Sequence, residues 1–260
     1  MQKDLLIIIP AYNEERNIIS VLDELEKPQI AEIADVLVMN DASSDNTNWM
    51  VKARNHAVVT HVFNLGYGSA LQLGYKYAIR YNYKYVIQMD ADGQHDVCNI
   101  TNIYNKLKKS ENGVYPDIVL GSRFIGKKSD YKVSLFKKFA IWIFKKIIYI
   151  STGQIIMDPT TGLQGLSRRA VLYYSKYGNF DSKYPDANMI MNMLLAGCYI
   201  VEIPAVMHNR EYGKSMHSGL KPIWYMFHMM LSITGVIMRH KVLKNVSDIG
   251  EFDNAMAKKQ

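Results

Sequence analysis

Four apolar runs open the chain, and each is separated from the next by a single stretch of helical spacing. The runs are LLIIIPAY (5–12), DVLVMND (35–41), AVVTHVF (57–63) and KYVIQMDAD (84–92). Between them, NEERNIISVLDELEK (13–27), SSDNTNWMVKARNH (43–56) and GSALQLGYKYAIRY (68–81) place apolar residues three and four apart. A strand with one wet face would alternate polar and apolar residues. Unbroken apolar strands joined by single helices instead indicate a mostly parallel sheet covered on both faces. Ligands of such sheets bind beyond the carboxyl ends of the strands.

Past residue 115 the alternation loosens. DIVLGSRF (117–124) and YIVEIPAVM (199–207) have strand character, and TTGLQGLSRRAV (160–171) reads as a strand or turn entering a helix. Helices are expected over 133–152, over DANMIMNMLLAGC (186–198) and near the C-terminus. With 260 residues and 48% hydrophobic content, one large α/β domain over 1–247 is the simplest organisation. The change of pattern divides it into a first half (about 1–115) and a second (about 116–247), with 248–260 as a tail.

Cys98 and Cys198 lie far apart without a partner motif, which speaks against a disulfide framework or zinc site and fits a reducing, cytoplasmic setting. A strand beginning near Met1 leaves no room for a signal peptide. The net charge of +7 is concentrated: seven lysines and one acid, Asp130, lie between Lys127 and Lys146, among Trp142 and four Phe or Tyr. Such a surface suits nucleic acid, anionic lipid or a phosphorylated substrate, and it is also what a solvated helix face looks like. PIWYMFHMMLSITGVIM (222–238) is short for a membrane span, and a core or interfacial helix is expected there.

Acids collect where the strands end. In YVIQMDADGQHD, residues i and i+2 of an extended strand point the same way, so Asp90 and Asp92 would present their carboxylates together, with Gly93 allowing a turn. Two carboxylates with the Gln94 amide nearby suit Mg²⁺ or Mn²⁺, which are held by carboxylates plus substrate phosphates. The alternative is an ordinary polar loop. His95 is either a ligand or a solvated loop histidine, and Asp96 is expected to cap the next helix. Asp41 closes the second run and points into the crevice, while Ser44 or Asp45 caps the following helix. PAYNEE (10–15) likewise joins a strand end to a helix start. The loop NLGYGSALQLG fails the dinucleotide fingerprint because Leu71 stands where the third glycine belongs, and no phosphate-binding P-loop occurs.

Six motifs in order, PAYNEE, VMNDASSDNT, NLGYGSALQLGYKYA, QMDADGQHD, LGSRF and DPTTGLQGLSRRA, resemble those of family 2 glycosyltransferases with a GT-A fold. The chain is most similar to the polyprenyl-phosphate group of that family, the dolichol-phosphate mannose synthase-like enzymes. The resemblance covers residues 5 to about 215. It implies that Asp90 and Asp92 are the metal-binding D-x-D, with Gln94 as accompanying ligand. Pro10, Tyr12 and Glu14 would hold base and ribose, and Asp41 would face the nucleotide. Arg123 would lie beside an acceptor phosphate with Ser122 near it. NREYGKS (209–215) would bring Arg210, Lys214 and Ser215 over the donor diphosphate. Two departures stand out. Asn40-Asp41 replaces the usual paired aspartates, and the transmembrane helices of many relatives do not follow the last helix, so membrane attachment would come from an amphipathic surface, a membrane-protein partner or self-association.

The implied reaction is inverting transfer of a hexose-type sugar from a nucleotide diphosphate, UDP rather than GDP, to a polyprenyl phosphate at the cytoplasmic face of a membrane, with no role for nucleic acid. A lipid phosphate is already substantially ionised near neutrality and needs cations, whereas a hydroxyl acceptor needs a base. Asp186 in KYPDAN is either such a base or a simple helix-start acid. The rival readings are transfer to a saccharide or protein hydroxyl with Asp186 as base and, more remotely, a sugar-phosphate nucleotidyltransferase. The latter's glycine-rich loop after the first strand is missing from PAYNEE.

Overall fold

The computed structural model describes residues 3–126, 135–208 and 221–243. In chain order it contains β1 (Leu5–Ala11), α1 (Ile18–Leu25), α2 (Pro28–Ala31), β2 (Ala34–Asn40), α3 (Thr47–Ala53), β3 (Ala57–Thr60), α4 (Tyr67–Arg80) and β4 (Tyr85–Gln88). These are followed by α5 (Cys98–Leu107), β5 (Ile118–Ser122), α6 (Leu135–Thr152), β6 (Gln164–Ser167), α7 (Arg168–Ser175), α8 (Ala187–Leu195), β7 (Ile200–Pro204) and α9 (Lys221–Ile237). Among the described residues the strands form one sheet in the order β3-β2-β1-β4-β6-β5-β7. The first four are parallel, β6 runs antiparallel to both β4 and β5, and β7 is parallel to β5.

That order fixes where a ligand can sit. The chain steps outward from β1 to β2 and β3, then returns to place β4 on the other side of β1. The connections leaving β1 and β4 therefore diverge and open a crevice at their carboxyl ends. Every residue of β1 is buried because the sheet has a core on each face. Leu6 and Ile8 pack into one cluster with Leu71, Tyr75 and Phe144, while Leu5, Ile7 and Ile9 pack into the other with Ile18, Leu22 and Ile100. This is the period-2 alternation of a strand, with both sets apolar. Each such side chain contributes about 1.5–3 kcal/mol by leaving water.

Three local departures from the sequence expectation have physical causes. The third strand ends at Thr60, not Phe63, leaving Val62 and Phe63 85% and 73% exposed. Beyond His61 the backbone turns away because the N–H groups of Leu65 and Gly66 bond to Asp41. The short α2 was not anticipated; Pro28 at its first position pre-sets the helical φ and lacks only an N–H that would be unpaired anyway. Most consequential is β6, whose antiparallel insertion ties the two halves of the chain into one sheet.

Gly68 brings the start of α4 against the segment that precedes α8. A Cβ at this position would lie 2.1 Å from the Asp181 carbonyl oxygen, and the next N–H, of Ser69, bonds to the Ser182 carbonyl at 3.1 Å. Only glycine permits that approach, which joins the crevice wall built by α4 to the Asp186 loop. The N-cap of α5 is Val97, which makes no side-chain cap bond, so the expected Asp96 cap is displaced by one residue; Asp96 Oδ1 nonetheless accepts the Cys98 N–H at 2.8 Å. The same carboxylate, together with burial as the larger cause, pushes the Cys98 thiol up to about 11. At pH 8 this leaves roughly 100-fold less thiolate than at the ordinary value. A more basic thiolate is also the better nucleophile, so Cys98, although exposed, is expected to alkylate with iodoacetamide on the order of tenfold more slowly than a model thiol. Labelling at the model rate would contradict this environment.

Candidate active site

The D-x-D is held by a turn, not by strand pleating. β4 ends at Gln88, and the chain bends through Asp90, Asp92 and Gly93, whose φ of 73° lies in the left-handed region. Asp90 is gripped from two sides. Its Oδ1 accepts the Tyr67 hydroxyl of α4 at 2.9 Å, and its Oδ2 faces His95 Nε2 at 3.6 Å. Oδ2 also lies against the backbone of Gly162, where a Cβ would come within 2.7 Å of it. Asp92 is nearly buried, and its Oδ1 accepts the Gln94 N–H at 3.1 Å, closing the turn. The Gln94 side chain reaches toward the His208 carbonyl through Nε2, at 3.4 Å.

This donor set suits a hard divalent cation. Asp90 Oδ2 packs on the face of Gly162, where a methyl group would not fit, and the His95 imidazole stands 3.6 Å from it. Among the described residues no three such side chains already converge on one ion. Asp90 and Asp92 are the carboxylates that would hold such an ion, and substrate phosphates would have to complete its shell. Gly162→Ala is expected to displace Asp90 and lower turnover by about 10²-fold, as ångström-scale misplacement of a reacting group does. A steady-state assay with unchanged turnover would refute the cradle.

The ends of β1 and β2 are laced together. Asn13, at φ 56°, accepts the Ser44 N–H at 2.9 Å, and its own N–H bonds to Ser43 Oγ at 3.0 Å. Glu14 donates its N–H to Thr47 Oγ1 at 2.8 Å and accepts Asn17 Nδ2 at 2.7 Å. Asp45 takes the Thr47 N–H at 3.0 Å and the Glu15 N–H at 3.1 Å, the structural role open to it from the sequence. Its carboxyl lies below the usual range because the Thr47 and Glu15 hydrogen bonds outweigh burial, the largest single influence. Pro10 is buried in β1, while Tyr12 stands half exposed at the crevice edge. Asp41 is buried and accepts from His61 Nδ1 (2.7 Å), Leu65 N (2.9 Å) and Gly66 N (2.8 Å). It therefore shapes the Gly66 loop from beneath.

On the other side of β4, Arg123 and Asp158 form a buried ion pair. Nε bonds to Oδ2 at 2.7 Å and Nη2 to Oδ1 at 2.6 Å, with further bonds from Nη2 to the carbonyl and hydroxyl of Thr160. The Asp158 side chain is 0% exposed and that of Arg123 is 8%. Glu202 of β7 accepts the N–H groups of Met157 and Asp158, at 2.6 and 2.8 Å, and burial, aided by Asp158, raises its carboxyl above the ordinary value. Ser122 lies beneath this wall, fully buried, its hydroxyl accepting the Phe124 N–H at 3.3 Å.

Asp186 occupies the N-cap position of α8, yet its side chain makes no capping bond there. Its Oδ2 instead accepts the Tyr225 hydroxyl of α9 at 2.7 Å. Burial and Asp186 together drive the Tyr225 hydroxyl well above its ordinary range, with Arg123 opposing. Tyr67 is pushed the same way by burial, then by Asp90, then by Asp186. The approach of Gly68 and Ser69 to the Asp181–Ser182 backbone brings the start of α4, which carries Tyr67, beside the segment leading to Asp186. Tyr67, Asp158 and Gly162 lie within motifs that carry the resemblance, but the sequence assigns neither them nor Tyr225 a role of its own. Arg210, Lys214 and Ser215, like the lysine-rich 127–134, lie outside the described residues.

A parallel-sheet crevice carrying strand-end carboxylates, continued by strands around an antiparallel insertion, is the GT-A glycosyltransferase fold. The chain belongs to glycosyl transferase family 2, whose model matches residues 6–173. It is 29% identical over 223 residues to the undecaprenyl-phosphate mannosyltransferase of Micrococcus luteus, covering 82% of this chain and 87% of that one. To the UDP-N-acetylglucosamine–dolichyl-phosphate N-acetylglucosaminyltransferase of Methanococcus voltae it is 27% identical over 191 residues, 67% and 73% of the two chains. Matches to several further relatives span from 51% to 66% of their length. Among solved structures, glucosyl-3-phosphoglycerate synthase of Mycobacterium tuberculosis, in complex with Mn²⁺, UDP-glucose and phosphoglyceric acid, superposes with a TM-score of 0.63 at 17% identity. That match covers 90% of this chain and 79% of that one.

Proposed function

We propose that this enzyme transfers a hexose-type sugar, with inversion, from a nucleoside diphosphate sugar to a polyprenyl phosphate at a membrane surface, on its cytoplasmic side. One observation carries the lipid acceptor. The two helices that bound the Asp186 end of the cleft also turn aromatic side chains to solvent. Inside, Phe144 of α6 meets Tyr225 of α9 edge-on at 6.5 Å. Outside, Trp142 of α6 is 56% exposed and Trp224 of α9 is 72% exposed, with Phe139 and Phe227 beside them. Lys138 and Lys146 are exposed on the same α6. Aromatic and basic residues on neighbouring helices suit the headgroup layer of an anionic bilayer. Among the described residues no helix is long and apolar enough to cross one.

In this reading Pro10, Tyr12, Glu14 and Asp41 form the nucleoside side, with Asp41 acting through the Gly66 loop. UDP is favoured over GDP, in keeping with the Methanococcus relative's donor and the nucleotide of the solved neighbour. Asp90 and Asp92, with Gln94 beside them, would hold Mg²⁺ or Mn²⁺, which when bound neutralises charge on the departing diphosphate. Tyr67 fixes the Asp90 carboxylate for that task. Arg210, Lys214 and Ser215 would close over the same phosphates. Arg123, held by Asp158, would line the wall beside the acceptor phosphate, with Ser122 buried behind it.

The alternative acceptor, a saccharide or protein hydroxyl, draws support from Asp186, whose side chain leaves the helix cap and takes the Tyr225 hydroxyl instead. One assay separates the two. Radiolabelled UDP- and GDP-sugars are incubated with Mn²⁺ and a short polyprenyl phosphate, using wild type and Asp186→Asn. Label is expected in the lipid fraction, and Asp186→Asn is expected to keep transfer within about tenfold, since an ionised phosphate needs no base. Label only in oligosaccharide, with a loss of about 10²–10⁴-fold in Asp186→Asn, would overturn the lipid reading.

A further inference from the structure

His95 is the one residue of the D-x-D turn whose side chain has no evident place. Its imidazole is buried, with a side-chain exposure of 4%, and neither ring nitrogen has a hydrogen-bond partner. Its backbone is pinned by an antiparallel bridge to Met207, so the ring cannot readily swing out to water. Nε2 points at Asp90 Oδ2 from 3.6 Å. That separation exceeds a hydrogen bond. It is, however, the spacing of two donors that share one ion, since ligands each about 2.0–2.2 Å from a cation stand about 3–4 Å apart. Gly162, lacking a Cβ, lets the Asp90 carboxylate pack directly on its backbone and so fixes Oδ2 opposite the His95 ring. Gln94, the neighbouring candidate, has its side chain turned toward His208.

We propose that His95 Nε2 is a direct ligand of the catalytic cation, sharing it with Asp90 while the donor diphosphate completes the shell. The assignment rests on the metal-dependent reading above. It also carries a selectivity: an imidazole in an otherwise oxygen-donor site favours Mn²⁺ over Mg²⁺, because nitrogen ligands suit transition-metal ions better than Mg²⁺.

The test uses the full chain with Mn²⁺ and UDP as probes and reads the metal directly. Electron paramagnetic resonance titration gives Mn²⁺ affinity, and electron spin-echo modulation reports whether a ¹⁴N nucleus is bound to it. Labelling the histidines with ¹⁵N identifies the nitrogen as imidazole. Wild type is expected to bind Mn²⁺ with that nitrogen coupling and to prefer it to Mg²⁺. His95→Ala and the milder His95→Gln are expected to lose both the coupling and the preference, and to bind Mn²⁺ about 10–100-fold more weakly. Circular dichroism melts identify a variant that fails to fold, and the other variant then decides. Wild type that binds no Mn²⁺ in the presence of UDP would sink this assignment together with the metal-dependent reading. Mn²⁺ bound without a histidine nitrogen, or with coupling and affinity unchanged in a folded variant, would sink the His95 assignment alone.

Discussion

Asp158→Ala is expected to destabilise the protein by about 3–5 kcal/mol, because it strands the Arg123 guanidinium in the interior without its carboxylate. The pair is buried on both sides, so water can do little to compensate. For a chain of this size the melting temperature should fall by roughly 6–20 °C. The damage should spread along the 157–162 segment, since Asp158 also receives the Arg123 N–H at 3.0 Å and its own N–H is held by Glu202. That segment carries Gly162, the floor under Asp90, so activity should fall together with stability. Urea denaturation of Asp158→Ala, Arg123→Met and the double variant measures the effect. The double variant should recover part of the loss, because removing both charges leaves no unpaired ion. A single-variant loss below about 1 kcal/mol, within the range of exposed ion pairs, would show that the pair is not buried in solution.

Asp92→Asn should have the opposite signature: an activity loss of about 10²–10³-fold with the fold intact. The substitution keeps a side-chain oxygen in the place of Oδ1, which accepts the Gln94 N–H and closes the turn. What it removes is the negative charge available to a cation. Turnover of a nucleotide sugar should therefore collapse, while the melting temperature moves by no more than a few degrees. Full activity in Asp92→Asn would remove the central chemical claim about this site.

Much of the architecture was legible because it is written in local patterns. The four opening runs became β1 to β4, with helices where apolar residues recur at three and four. Asp90, Asp92 and Asp186 were identifiable as acids at strand or helix boundaries. The antiparallel insertion of β6 was harder to read: four residues, Gln164–Ser167, offer too short a run to declare a direction. AVVTHVF was overread for the related reason that apolar character alone does not mark where an edge strand stops pairing.

The sequence by itself determined the layered sheet, the end of it that carries carboxylates, and the residue types available for binding phosphate and metal. These depend on side-chain periodicity and on residues a few positions apart. Tertiary structure alone decided which polar groups meet. Asp41 closes on the Gly66 loop 25 residues away, Tyr67 on Asp90 at 23, Arg123 on Asp158 at 35 and Asp186 on Tyr225 at 39. A buried polar group must find a partner, but the chain between the two carries no local signal of which partner it will be. The same holds for His95, which the sequence leaves open as a ligand or a solvated loop histidine and which packing buries beside Asp90.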